Sequence, residues 1–206
     1  PLAGDFLVGL IPSGSADPYG LRRAAVGALR ILADRRWRLD LRALAEEAVR
    51  AFPEAVRGDR PQTVQTLVDF FKQRWAALME AKGYRFDEID AITSARFNDP
   101  VDAEQRLKAL HGVRKHPDFA PLSIAFKRAA NILSQARKKD WFLAHESGTS
   151  GVVPGRLTEP AEKDLFSAYE NISRAASPLL ENFGYDDALK ELVKFKGPVD
   201  EFFLKV

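Results

Sequence analysis

Apolar residues recur at spacings of three and four along most of the chain, and no stretch alternates apolar with polar residues between turn signals. The pattern predicts an all-α protein, a helical bundle of about eight or nine helices with short connections. The longest stripe runs from Gln62 to Lys82, where Val64, Leu67, Val68, Phe71, Trp75, Leu78 and Met79 face one way. A second covers Phe119 to Lys139, with Ile124, Ala125, Ala129, Ile132, Leu133 and Ala136 on one side. A third places Leu21, Ala25, Ala28, Leu29 and Leu32 toward a core. Residues 1–11 are apolar and broken by glycine, and read as a segment packed on something preceding it.

Turn and cap residues divide these stripes. Asp17-Pro18 predicts one helix start, because the carboxylate can accept from free amides and proline at the first helical position loses no bond. Asp40 caps a short helix to Phe52, and Gly83 ends the long one. Phe86 to Ala95 reads as a helix capped by Asp87, and Asn98-Asp99-Pro100 opens another that runs to about Leu110. Thr158 is expected to cap a helix to about Phe183, kinked or split at Pro178. Tyr185 to Lys194 follows. Gly197-Pro198 breaks the pattern, and VDEFFLKV begins a last helix. Asp140 to Leu157, with its SGTSG and VPG pieces, is the longest loop.

Charge changes the picture. The 206 residues carry a net charge of only +2, yet Arg106 to Lys139 holds nine Lys or Arg against the single acid Asp118. Residues 158–206 hold ten acids against six bases. The positive charge is therefore gathered around the Phe119 helix, where a polyanion would bind. Lys127, Asn131, Gln135 and Lys138 line a polar stripe on that helix, opposite in character to its apolar one. Lysines there suit phosphate contacts, and the Asn and Gln amides suit base edges. Unstacked RNA loops are the usual target of such groups. Arg22, Arg23, Arg30, Arg35, Arg36 and Arg38 either contact phosphate or form a solvated face whose stems cover apolar surface.

Composition excludes several classes. Hydrophobic residues make up 46%, enough for a core, and no apolar run approaches the roughly 20 residues of a membrane span. There is no cysteine, hence no disulfide or thiolate zinc site, which favours a reducing compartment. His111 and His116 stand in a connection without a third ligand nearby. No Ser-His-Asp set, Gly-x-Ser-x-Gly, His-Glu-x-x-His or phosphate-cradling glycine loop is present. The chain shows no signal peptide. It opens on Pro1 and closes on FFLKV, which reads as a fragment of a longer protein.

Five stretches in order add a resemblance: GLIPSGSADPYGLRRAA (Gly9–Ala25), FFKQRWAALMEAKGYRFDEIDAI (Phe70–Ile92), KRAANIL (Lys127–Leu133), LTEPAEKDL (Leu157–Leu165) and GPVDEFFLKV (Gly197–Val206). Together they resemble the C-terminal part of the β subunit of bacterial glycyl-tRNA synthetase, the two-subunit type. The resemblance implies a ligase that joins glycine to its tRNA with ATP and Mg2+, in the cytoplasm, with catalysis mainly on a separate α subunit. This part then needs no cofactor or metal of its own and carries no catalytic residue. It also implies that residues 1–38 end an HD-like helical region. Residues 39–206 become an anticodon-binding domain similar to that of arginyl-tRNA synthetase. Two departures stand out: Leu204 replaces the acid usual before the final Lys-Val, and Glu146 to Gly155 is richer in glycine.

Carried over by position, Lys127, Arg128 and Asn131 match the KRxxN stretch and Arg74 the arginine of the FxxxR segment, as tRNA contacts. Gln135, Arg137, Lys138 and Lys139 join them on charge and polarity. The expected partners are glycine tRNA and the α subunit. The competing reading is a protein-interaction module that packs within β or against α through apolar surface such as Phe6, Leu7 and Val8. In that case the basic face is merely solvated; the separate structural reading of KRxxN has Asn131 bonding neighbouring backbone and Arg128 pairing with an acid.

Overall fold

The computed structural model describes residues 2–13, 17–56, 58–138, 152 and 154–205. Among them are ten α-helices and no strand: α1 (Leu2–Leu7), α2 (Leu21–Arg35), α3 (Leu41–Arg50), α4 (Arg60–Ala81), α5 (Phe86–Ala95), α6 (Pro100–Val113), α7 (Phe119–Lys138), α8 (Pro160–Glu181), α9 (Tyr185–Val193) and α10 (Lys196–Lys205). The all-α reading therefore holds. Most of the expected 140–157 loop lies outside the described residues, and its end, Pro154–Arg156, is a single 3-10 turn. The chain divides into two compact units, residues 1–108 and 109–206, and the break falls within α6.

In the first unit α4 is the axis, and α1, α2, α3 and α5 all pack on it. Phe6, Leu7, Leu21, Ala25, Val49, Leu67 and Phe70 form its core, with the Phe6 and Phe70 rings edge to face at 5.0 Å. Residues 2–7 of the opening segment are thus a helix of this core. Of the three residues expected to offer apolar surface, Phe6 and Leu7 are 3% exposed and only Val8 is open.

Local chemistry explains the helix ends. Asp40 accepts from the Arg42 and Ala43 amides at 2.8 and 3.0 Å, and Asp99 from Val101 and Asp102 at 2.9 and 3.1 Å. Asp17 accepts from Leu21 and Arg22 at 2.8 and 3.0 Å, so it secures a helix that starts three residues after Pro18. At α5 the bond to the entering amide comes from Glu88, whose buried carboxylate accepts from Arg85 N at 3.2 Å. Asp87, the expected cap, accepts from the Glu88 amide at 3.0 Å and pairs with the Arg85 side chain at 3.1 Å. Likewise at α8, Glu162 accepts from the amides of Thr158 and Glu159, and Thr158 is not the cap.

The second unit joins α8 to α9 and α10, and α10 to α7. Pro178 does not split α8, which continues to Glu181 with one backbone donor missing. Gly197-Pro198 lies inside the first turn of α10, where amides have no intrahelical acceptor and proline forfeits nothing. Buried residues here are mostly small, among them Ala125, Ala136, Ala161, Ala176 and Ala188.

Candidate nucleic-acid interface

The α7 helix begins at Phe119 as its pattern predicts, but buries a narrower face than expected. Leu122, Ala125 and Ala136 are covered, whereas Ile124, Ile132 and Leu133 are at least half exposed. The covered side is the one on which α10 packs. Ile124, 64% exposed, lies at a helical angle between Asn131 and Gln135 and so on the polar face.

That face holds five of the predicted residues together. Lys127, Arg128, Asn131, Gln135 and Lys138 are all exposed on α7. At 1.5 Å per residue the stripe is about 16 Å long, enough for several nucleotides. Among the described residues no ion pair engages Lys127, Arg128 or Lys138, so their charge faces outward uncancelled. Among the described residues Arg128 is not paired with an acid. Its guanidinium carbon sits 4.3 Å from the centre of the Phe203 ring on α10. Sequence reading missed Phe203, because 75 positions separate the two and only the docking of α10 joins them. Arg137 belongs to α7 with its side chain outside the described residues, and Lys139 lies outside them altogether.

Arg74 is on α4 in the first unit. It is half-buried over the Phe70 ring at 5.1 Å, and donates to Gln73 Oε1 at 3.4 Å. Its Nε is buried with no partner among the described residues. Arg38, one of the arginines offered for phosphate contact, is instead bound within the first unit by Asp99 and Asp102 at 2.6 and 3.1 Å.

The first unit also carries an apolar cleft of about 630 Å3 between α2 and α3, with Leu67 and Phe71 of α4 as its floor and Ile31, Trp37 and Leu44 at its edges. Ile31 and Trp37 are more than half exposed there. Among the described residues no three His, Asp or Glu gather as metal ligands, and no helix is long and apolar enough to cross a membrane.

Comparison with known proteins matches the β subunit to which the motifs point. The profile of the family described as glycyl-tRNA synthetase beta subunit matches residues 1–94, from α1 into α5. The chain is 37% identical over 202 residues to the glycine–tRNA ligase beta subunit of Psychromonas ingrahamii, covering 98% of the chain. It is 37% identical over 206 residues to that of Geobacter sulfurreducens and 34% over 203 to that of Syntrophotalea carbinolica. In each case the chain spans 28% of the relative's length.

Proposed function

We propose that this chain is part of the β subunit of a cytoplasmic glycine–tRNA ligase, and that its second unit contacts glycine tRNA through the exposed face of α7. The observation that carries the RNA contact is the alignment of Lys127, Asn131, Gln135 and Lys138 on that face, beside Arg128 and free of acids. The lysines and arginine neutralise phosphates, and the two side-chain amides reach base edges. Anticodon recognition by a domain like that of arginyl-tRNA synthetase, and the C-terminal position within β, belong to the same proposal. So does the boundary near residue 38. The ATP- and Mg2+-dependent attachment of glycine belongs to the whole enzyme with its α subunit. This chain's own role is to hold tRNA, with Arg74 a further contact from α4.

The test is binding of the full chain to glycine tRNA and to the same tRNA with a changed anticodon, at two salt concentrations. The proposal expects tighter binding to the correct anticodon, loss of affinity with salt, and weaker binding after Lys127→Ala with Arg128→Ala. Equal binding to both tRNAs reduces the role to a non-specific basic surface.

The cleft between α2 and α3 favours a second reading, in which the first unit packs within β or against the α subunit. Phe6 and Leu7 are buried, so this reading rests on Ile31, Trp37 and Leu44. It expects Trp37→Ala with Leu44→Ala to weaken subunit assembly and to leave the salt dependence of tRNA binding unchanged.

A further inference from the structure

We propose that Arg128 and Phe203 form a stacking platform for one unstacked RNA base. The inference rests on α7 as the RNA-contacting face and names how that face grips its ligand. The Arg128 guanidinium carbon lies over the Phe203 ring, 4.3 Å from its centre. Phe203 is itself half-buried and braced edge-on by Phe202, with centroids 5.5 Å apart and planes at 70°. A guanidinium is planar and has two faces. The group lies over the ring while the residue as a whole is exposed, which leaves guanidinium surface open to a base. Guanidinium planes stack nucleobases, and a plane held by an aromatic ring loses less rotamer freedom when it does so. The N–H edge of the same group stays available to phosphate, because no acid among the described residues occupies it. Ile124, one helical turn earlier, adds an exposed aliphatic surface beside the stack.

The geometry separates shape from charge. Lysine at 128 keeps the charge but has no plane, and leucine at 203 keeps apolar bulk but removes the ring. The experiment uses the full chain and an RNA hairpin with the anticodon loop of glycine tRNA, in which single abasic nucleotides are walked through the loop. An abasic site removes one base and keeps its phosphate. The expected result for the unaltered chain is one loop position at which base removal weakens binding about tenfold. Arg128→Lys and Phe203→Leu are each expected to weaken binding to the intact hairpin about tenfold, to show no further loss at that position, and to keep the salt slope. The proposal is overturned if Arg128→Lys shows the same abasic loss as the unaltered chain. It is also overturned if no loop position is sensitive while binding remains salt-dependent. Both outcomes leave α7 as an RNA-binding face. Absence of RNA binding by the unaltered chain at every salt overturns this proposal and the reading on which it rests. Arg128→Lys alters an exposed side chain, so the test stands even where Phe203→Leu perturbs the packing of α10.

Discussion

Arg38 Nη2 donates to Asp102 Oδ1 at 3.1 Å across 64 positions of sequence, fastening the α2–α3 connection to the first turn of α6. Arg38 Nε also reaches Asp99 at 2.6 Å, and Arg106 approaches Asp102 from the other side at 2.8 Å. The Asp99 and Asp102 side chains are largely buried, so their charges need these partners. Arg38→Ala leaves Asp102 with Arg106 and is expected to destabilise the first unit by about 1–2 kcal/mol. Asp102→Ala takes a carboxylate from both arginines, leaving Arg38 with Asp99 and Arg106 with the Arg96 carbonyl, and is expected to cost about 2–4 kcal/mol. Urea unfolding followed by helical circular dichroism measures both. Equal losses would show that Arg106 contributes nothing.

A second link between α4 and α6 depends on pH. Burial pushes the Glu104 carboxyl up, but hydrogen bonds and charges from Lys82 at 2.9 Å and Lys108 at 3.2 Å outweigh it, and its pKa is held below the ordinary 4.5. A folded-state pKa below the unfolded one stabilises the fold fully above the unfolded value, and the contribution is lost as pH falls through the folded value. Glu104→Gln is therefore expected to lose up to about 1 kcal/mol near neutral pH, since both lysines are largely exposed. The difference from the unaltered chain should close in acid below the ordinary carboxyl value. Urea midpoints across that range test it, and a difference that persists in acid contradicts the assignment.

Features set within one turn of chain were legible in the sequence. Asp40 and Asp99 bond amides two and three residues on, so position alone identifies them. Neighbouring acids were less separable: Asp87 and Glu88 both precede α5's first turn closure, and only the burial of Glu88 decides which one holds the entering amide. Ile124 was assigned to the apolar stripe of α7, although its helical angle sets it between Asn131 and Gln135, and spacing could not give the width that α10 covers. Phe6 and Leu7 were read as outward-facing because nothing local shows that α1 docks on α4. The polar half of the candidate site, Lys127 through Lys138, follows from periodicity and charge. Phe203 beneath Arg128 does not, because it depends on tertiary packing.

Gly58 shows the same limit and gives a third prediction. An added Cβ there would overlap the Leu7 carbonyl oxygen and stand 2.8 Å from Leu7 Cδ1. The obstacle is backbone, so α1 itself must move. Gly58→Ala is expected to cost about 1–3 kcal/mol by thermal or urea unfolding. Adding Leu7→Ala should not restore stability, because the carbonyl remains in place. Recovery in the double variant would place the conflict on the side chain instead.

The two kinds of side chain on α7 should fail differently. Lys127 offers three donors on a flexible stem and suits a phosphate, which is the same in every sequence. Lys127→Ala is therefore expected to weaken RNA binding about equally for all anticodon loops and to reduce the slope of log affinity against log salt by about 1. Asn131 carries no charge, and its amide can pair a base edge with a donor and an acceptor at once. Asn131→Ala is expected to leave the salt slope unchanged and to erase about 1–3 kcal/mol of preference at one base. Titrating both variants against loops altered one base at a time, at two salt concentrations, separates the effects. Uniform weakening by Asn131→Ala would move base reading away from this residue and toward Gln135, one turn further along the same face.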